Sequence, residues 1–272
     1  MPYHPQSGHR SAWKDGGLFG VMLHTSSPQL LEIGGFAGLD YVIIDTEHAD
    51  GVDIPGVLSL IRTADASGIP AIVRVTDVDE IGRALDFGAA GVCVTHVSSA
   101  KDAEHAVRAA KYPPQGTRGA CPHVRATRFG GSSDWPSYWP TANSETLVMV
   151  LVEDVEGCEN VDEIASVPGV DVIFIGPADL SQSLGVGGLF EGSAISNKVA
   201  EYQQRGIDVA RQHGIATLIP VPARNSAEEI AKWAARGCQN FLWPDNSVYR
   251  EALVDLLRGA RSAFPRSGKD SK

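Results

Sequence analysis

An apolar run that ends at Ile44 is followed directly by ionisable residues. Asp45, Glu47 and His48 lie within four positions of one another. A buried strand that stops in charged groups is how an α/β barrel presents chemistry at the carboxyl ends of its strands. Desolvating such groups is costly unless they bind a metal, a substrate or each other. The segment therefore predicts an active site, built on two acids and an imidazole.

Ionisable residues also follow other apolar runs, namely Arg74, His96, Glu153, Asp154 and Asp179. The separated carboxylates Glu153 and Asp179, with a histidine and an arginine, suit a hard divalent cation and an anionic substrate. Structural interpretations are open for the same residues. Either carboxylate could cap a helix, the arginine could form a structural ion pair, and the histidines could be satisfied structural groups.

No lysine follows a strand-like run, because the lysines fall before strands, on helices or in the C-terminal tail. A Schiff-base mechanism needs a lysine nucleophile at the catalytic end of the barrel. If the chain carries out carbonyl chemistry, we therefore expect a metal ion in place of the imine. This favours metal-assisted enolisation.

Eight short apolar runs are typical of parallel strands covered on both faces. They are Leu18–Leu23, Asp40–Asp45, Ala71–Val75, Gly91–Val97, Leu147–Glu153, Val170–Gly176, Ile215–Val221 and Cys238–Trp243. Helical patterns lie between them, over Pro55–Ala66, after a Ser99 cap, over Gly157–Val167, after a Ser226 cap and over Val248–Leu257. Such alternation predicts one (β/α)8 barrel domain over residues 1–272. A doubly wound sheet is the alternative, but no Gly-rich fingerprint follows the first strand.

Three segments depart from the alternation. Residues 1–16 are interpreted as an N-terminal arm and residues 262–272 as a disordered tail. The connection Tyr112–Asn143 is long and rich in arginine and aromatic residues. A connection of that length is expected to be functional, and it could cover the barrel mouth or a neighbouring subunit.

Composition limits the partners and the compartment. The formal net charge of −10 argues against nucleic acid or an anionic membrane as the main partner. The polar N-terminus has no apolar signal-peptide core, and no stretch approaches the length of a membrane span. The four cysteines show no CxxC spacing and are interpreted as reduced thiols. We expect a cytoplasmic protein with neither nucleic-acid nor membrane partners.

Three long motifs carry a resemblance that covers nearly the whole chain. They read GLDYVIIDTEHA at 38–49, YPPQGTRG at 112–119 and FIGPADLS at 174–181. In order and spacing they resemble the motifs of the HpcH/HpaI aldolase family. The resemblance implies a metal-dependent class II aldolase. Such an enzyme makes or cleaves 4-hydroxy-2-oxo acids, from pyruvate and an aldehyde, through a metal-bound pyruvate enolate.

Carried over residue by residue, the resemblance implies that Glu153 and Asp179 bind a divalent metal, Mg²⁺, Mn²⁺ or Co²⁺. His48 matches the general base, and Arg74 matches the arginine that stabilises the enolate. Asp86 matches an acid that raises the basicity of the histidine. Its predicted place near the end of a helix puts it at the opposite barrel face, unless that helix is short or a neighbouring subunit supplies the residue.

The resemblance also implies a substrate-binding region and an assembly. The backbone of Gly176, Pro177 and Ala178, next to Asp179, matches the region that receives the substrate carboxylate. Asp45, like Glu47, is expected to orient the histidine or its loop. The family builds hexamers by exchanging C-terminal helices, so we expect a homo-oligomer, a trimer or hexamer, with an exchanged C-terminal helix.

Several residues depart from the family pattern. Leu151 stands where members commonly have a substrate-contacting glutamine, Thr95-His96 replaces a frequent Pro-Met, and the last strand ends in Trp243-Pro244. Retained chemistry in changed surroundings is what a shifted substrate would produce. It is also compatible with a decarboxylase, because loss of CO2 from oxaloacetate gives the same enolate.

Four hypotheses follow. The first is the aldolase, and the second is an oxaloacetate-type decarboxylase or macrophomate-synthase-like enzyme that turns over oxaloacetate but no aldol. The third is a lyase of acyl-CoA thioesters like citrate lyase, which the absence of a basic cluster for the CoA diphosphate disfavours. The fourth is a non-enzymatic barrel that binds no Mg²⁺ or Mn²⁺.

Overall fold

A computed structural model describes residues 9–49, 52–131, 135–185 and 197–264. Eight parallel strands close into a barrel in sequence order. They are β1 (Phe19–Leu23), β2 (Tyr41–Asp45), β3 (Ala71–Val75), β4 (Gly91–Val94), β5 (Leu147–Val152), β6 (Val172–Ile175), β7 (Ala216–Pro220) and β8 (Asn240–Pro244). The predicted (β/α)8 barrel is confirmed, with each strand inside or next to its predicted apolar run.

Helices surround the barrel. They are α1 (His9–Asp15), α2 (Pro28–Ala37), α3 (Ile54–Ala66), α4 (Val78–Asp86), α5 (Ala100–Ala110), α6 (Trp135–Glu145), α7 (Val155–Glu159), α8 (Val161–Ala165), α9 (Pro177–Ser183), α10 (Asn197–His213), α11 (Ser226–Ala235) and α12 (Asp245–Ala263). A 3-10 helix spans Arg125–Gly130. Among the helices of the described ranges, none has the length and hydropathy of a membrane span.

Alternate strand residues face the barrel interior, because strand side chains repeat every two residues. An apolar cluster fills the interior, and its members include Met22, Ile43, Ile72, Leu151 and Phe174. Two residues after each of these apolar residues, a polar or small residue faces the same interior at the carboxyl end of the barrel. These are His24, Asp45, Arg74, Glu153 and Gly176. A larger apolar cluster between strands and helices holds this arrangement in place.

The predicted N-terminal arm contains a helix that closes the barrel at its amino end. In α1, Trp13 is buried and its ring packs 4.6 Å from that of Tyr41. The carbonyl of Trp13 accepts a hydrogen bond from Nδ2 of Asn240 at 3.1 Å. Residues 9–15 are therefore part of the packed barrel, while residues 1–8 lie outside the described residues.

The other helix ends refine the sequence interpretation. Ser99 caps α5, as predicted, and its hydroxyl accepts from the backbone N–H of Asp102 at 3.3 Å. The predicted Ser226 cap is wrong by one position, because the helix begins at Ser226 and is preceded by Asn225 in the left-handed region, with φ of 57°. Helix α12 extends through Ala263, past the predicted start of the tail. Residues 265–272 of that tail lie outside the described residues.

The described residues of the segment Tyr112–Asn143 lie on the amino face of the barrel, because the segment connects the end of α5 to the start of β5. Arg118 pairs with Asp86 at the end of α4 at 2.7 Å, and Arg125 pairs with Asp65. The prediction that this segment covers the mouth of its own barrel is therefore wrong. A role over a neighbouring subunit stays a prediction.

Candidate active site

The carboxyl ends of the strands open into a cleft of about 1450 Å³. Most of the predicted site residues line it. These are His48, Arg74, Leu151, Glu153, Gly176, Pro177, Ala178 and Asp179. One surface of one barrel therefore brings together the candidate base, the arginine, both carboxylates and the segment expected to receive a carboxylate.

Asp45 and Arg74 form a buried ion pair under this cleft. The two residues are register partners on neighbouring strands. Nε of Arg74 donates to Oδ1 of Asp45 at 2.6 Å, and Nη2 lies 2.6 Å from Oδ2. Burial raises the pKa of Asp45, but the hydrogen bond and charge of Arg74 outweigh it, so the net pKa is lowered. Asp45 is thus a fixed carboxylate that orients the guanidinium.

The turn after β2 is organised by the same carboxylate. The backbone N–H groups of Glu47 and His48 donate to Asp45 at 2.9 and 3.3 Å. Oε2 of Glu47 lies 3.2 Å from Nη1 of Arg74 and 3.8 Å from Nε2 of His48. The His48 side chain is 60% exposed on the cleft wall, whereas that of Glu47 is 10% exposed. The arrangement leaves His48 accessible to a ligand while its backbone is held.

His96 bridges the two halves of the site. Its backbone lies in the left-handed region with φ of 55°, which is uncommon for a residue with a side chain. Nε2 lies 3.0 Å from Oε1 of Glu47, and Nδ1 lies 3.1 Å from Oε1 of Glu153. Its backbone N–H donates to the same Glu153 oxygen at 2.9 Å. The sequence identified His96 as a candidate, and the structure brings it into the cluster.

Glu153 directly follows β5, Asp179 lies in the first turn of α9 after β6, and both line the cleft. Neither is a helix cap, so both capping interpretations are wrong: Asp154 caps α7, and Gly176 is the N-cap of α9. A Cβ atom at Gly176 would lie 3.0 Å from Cβ of Glu153, so the glycine gives the carboxylate its room.

The charge of this pair is incompletely compensated. Burial raises the pKa of Glu153 to about 7, and the charges of Asp179 and Glu47 add to the rise against the opposing contacts of His96. Carboxylate oxygens are the ligands that hard divalent cations prefer. No group of three or more potential metal ligands is arranged as a site within the described ranges. Two protein carboxylates therefore fit a cation that takes its other ligands from water or substrate.

Two residues at the opposite end of the cleft were missed by the sequence reasoning. His24 follows β1, and its Nδ1 lies 3.3 Å from Oδ1 of Asp245, the first residue of α12. Its Nε2 lies 3.6 Å from Oδ2 of Asp45. The available signal was periodicity, because His24 stands two positions after the inward-facing Met22.

Asp86 is separated from His48 in this chain. It ends α4 at the amino face of the barrel, where its carboxylate pairs with Arg118. The guanidinium of Arg118 in turn stacks 4.5 Å from the centre of the Tyr112 ring. Any contact between Asp86 and a His48 ring would require a neighbouring subunit.

Lys111 is a buried lysine with a structural role. Burial lowers its pKa to about 8, a direction typical of reactive lysines. Yet Lys111 follows α5 at the amino face, and Nζ donates to the carbonyls of Asn143 and Thr146 at 2.7 and 2.6 Å. It is a structural clamp for the segment that precedes β5.

The model of the HpcH/HpaI aldolase/citrate lyase family matches residues 18–241. The chain belongs to this family. The 5-keto-4-deoxy-D-glucarate aldolase of Shigella boydii is 34% identical over 85% of this chain and 87% of its own length. The 2-dehydro-3,6-dideoxy-6-sulfogluconate aldolase of Pseudomonas putida is 38% identical over 61% of this chain, and the match spans 64% of that protein.

An HpcH/HpaI aldolase/citrate lyase family protein from Burkholderia cenocepacia has the same architecture, with a TM-score of 0.84 and 32% identity over 94% of this chain and 100% of that chain. Citrate synthase SbnG superposes with a TM-score of 0.81 and 32% identity, over 95% of this chain and 99% of its own. Aldolase relatives and the family match together identify the chain as an enzyme, a carbon–carbon lyase.

Proposed function

We propose that the enzyme is a divalent-metal-dependent aldolase that makes or cleaves 4-hydroxy-2-oxo acids, with pyruvate and an aldehyde as the two halves. One observation carries the proposal: Glu153 and Asp179 share a cleft with an accessible His48 and an oriented Arg74. The aldolase names of the relatives support it.

Glu153 and Asp179 would hold the cation. Mg²⁺, Mn²⁺ and Co²⁺ all accept carboxylate oxygens. When bound, the cation would supply positive charge against the negative charge that develops on the 2-oxo acid. The raised pKa of Glu153 supports this assignment, because a cation would relieve the repulsion that Asp179 exerts on it.

Arg74 would share the charge of the enolate oxygen. Its guanidinium is fixed by Asp45 before any ligand arrives, so little reorganisation is needed. The first backbone N–H groups of α9, at Ala178 and Asp179, have no partner within the helix and would receive the substrate carboxylate. Leu151 would contribute an apolar wall where a polar contact is common in the family.

His48 would transfer the proton. In cleavage it removes the proton of the C4 hydroxyl, the C3–C4 bond breaks, and the electron pair passes to the enolate while the aldehyde leaves. The imidazole then gives the proton to C3 of the enolate, which yields pyruvate. In condensation the imidazole takes a proton from the pyruvate methyl group, the enolate attacks the aldehyde carbon, and the same imidazole gives the proton to the new C4 oxygen. Glu47, 3.8 Å from Nε2 of His48, would orient the ring.

The test measures how fast the methyl protons of pyruvate exchange with D2O when the enzyme is loaded with Mg²⁺ or Mn²⁺. The exchange is monitored by NMR. We expect exchange that a chelator abolishes and that falls at least about 100-fold in Glu153→Gln or Asp179→Asn. The same substitution at an exposed helical position, Glu159→Gln, should leave exchange unchanged. Full exchange in the presence of chelator would refute the metal assignment. Turnover of oxaloacetate with no aldol product from any aldehyde would favour the decarboxylase.

We also propose a homo-oligomer, a trimer or hexamer, with an exchanged α12. Helix α12 packs on β1 and β8, and within the described ranges a single residue of it is buried, Glu251. Large apolar side chains are exposed along it, namely Val248, Tyr249, Leu253, Leu256, Leu257 and Phe264. Light scattering should show a trimer or hexamer that Leu256→Asp disrupts. A monomer at micromolar concentration would refute the assembly. For localisation we propose the cytoplasm.

A further inference from the structure

The cleft has two ends on opposite sides of the barrel. Glu153 and Asp179 follow β5 and β6, whereas His24 and Asp245 follow β1 and β8. In the proposed function, on which this inference rests, the 2-oxo acid lies with the two carboxylates. The part of the cleft that runs toward His24 is then open to the aldehyde half.

The His24 ring is held in one orientation. Oδ1 of Asp245 accepts from the backbone N–H of His24 at 3.0 Å and lies 3.3 Å from Nδ1 of its ring. The same carboxylate accepts from Thr25 Oγ1 at 2.8 Å and from the N–H of Asn246 at 2.7 Å. The side chains of His24 and Asp245 are 20% and 9% exposed. A side chain fixed in this way loses little conformational entropy when it binds a ligand.

The second ring nitrogen of His24 is available. Nε2 lies 3.6 Å from Oδ2 of Asp45, which is beyond a hydrogen bond. The Asp45 carboxylate is already occupied by Arg74 and by the turn after β2. His24 also lines the cleft, as do the apolar Met22 and Leu242. A polar ligand atom at this end would therefore find Nε2 as a partner.

We propose that His24, oriented by Asp245, is a specificity residue that hydrogen-bonds a hydroxyl group of the aldehyde. A hydroxyl both donates and accepts, so it pairs with Nε2 in either protonation state of the ring. An alkyl aldehyde of the same length leaves this nitrogen without a partner. The enzyme then prefers hydroxylated aldehydes to their alkyl counterparts.

The experiment measures condensation of pyruvate with glycolaldehyde and with acetaldehyde, on the Mn²⁺-loaded enzyme. The quantity compared is the ratio of the two kcat/KM values between enzymes, which cancels the intrinsic reactivity of the aldehydes. Replacing a hydrogen-bonding partner changes such a ratio by about 3- to 10-fold. We expect His24→Ala to lower the ratio by that factor with the KM for pyruvate unchanged. His24→Gln, whose amide both donates and accepts, should recover part of it.

Asp245 acts through His24, so its effect should depend on the ring. Asp245→Ala should lower the ratio, and the double variant should lower it no further than His24→Ala does. His105→Ala, the same substitution at an exposed position of α5, is the matched control. Methyl proton exchange of pyruvate serves as the check that each variant folds and keeps an intact pyruvate site.

The outcomes separate the two claims. Absence of methyl exchange in the unaltered enzyme would refute the proposed function. Normal exchange with the same aldehyde ratio in His24→Ala as in the unaltered enzyme would refute the role of His24 alone. A lowered ratio with unchanged exchange supports it.

Discussion

The substitution Asp45→Asn should destabilise the enzyme strongly, although it replaces one atom. Asp45 is fully buried and faces both Nε and Nη2 of Arg74, together with two backbone N–H groups. An asparagine keeps one acceptor oxygen, turns the other into a donor and leaves the guanidinium without its main counter-charge. Loss of one partner of a buried ion pair costs about 3–5 kcal/mol. Because Glu47 also contacts Arg74, we expect the lower end of this range.

The measurement is thermal unfolding at pH 7, followed by circular dichroism. For a chain of this size about 3 kcal/mol corresponds to a fall in Tm of about 6–9 °C. The pKa of Asp45 is lowered in the folded state, so its contribution is fully present above its ordinary value of 3.8 and is lost only as the pH falls through the lowered pKa. Neutral pH therefore measures the whole effect.

Two comparisons make the result interpretable. The exposed pair of Asp255 and Arg258 has a similar distance, 2.8 Å, and Asp255→Asn there should cost about 0.5 kcal/mol or less. Adding Arg74→Met to Asp45→Asn should recover stability, since it removes the unpaired charge. A fall in Tm no larger than that of the surface control would refute the buried ion pair as the organiser of this half of the site.

Three further predictions concern the other groups of the barrel. The pKa of Glu153 is raised from 4.5 to about 7, so the metal-free enzyme should lose stability as the pH rises between these values. Over the same range Mn²⁺ binding, measured by calorimetry, should tighten. A Mn²⁺ affinity that does not change between pH 6 and pH 8 would contradict this. Gly176→Ala has no backbone penalty at φ of −75°, but its Cβ meets Glu153, so we expect Mn²⁺ binding to weaken about 10-fold with little change in Tm. Lys111→Met should keep methyl exchange but lower unfolding stability by about 1–3 kcal/mol in a urea titration, whereas loss of exchange with unchanged stability would indicate a catalytic lysine.

The fold could be predicted because the apolar runs are continuous and the helical patterns between them are regular. Parallel strands covered on both faces need such runs, and eight of them in one domain leave few alternatives. The same reasoning located Asp45, Arg74 and Glu153, since each lies at or next to the carboxyl end of a strand. What local patterns could not give is the register between strands, which places Asp45 opposite Arg74.

The errors have identifiable physical causes. A helix-start pattern suggested a cap at Asp179, but Gly176 occupies that position because its backbone is extended. The segment Tyr112–Asn143 was judged by length and composition, although a helix-to-strand connection in a barrel must lie at the amino face. His24 was missed because the end of the first strand has no acid to draw attention to it.

The cleft has two halves that are completed at different stages: one contains Asp45, Arg74 and His48, and the other contains Glu153 and Asp179. The Asp45 carboxylate pairs with the arginine and holds the turn that carries His48 from within the chain, so folding alone positions that half. Burial, with the charge of Asp179 adding to it, raises the pKa of Glu153, and in the proposed function a bound cation would offset this. An enzyme built this way can wait in a folded, nearly finished state. In the proposed function, availability of the cation would therefore decide when the second half of the site is complete.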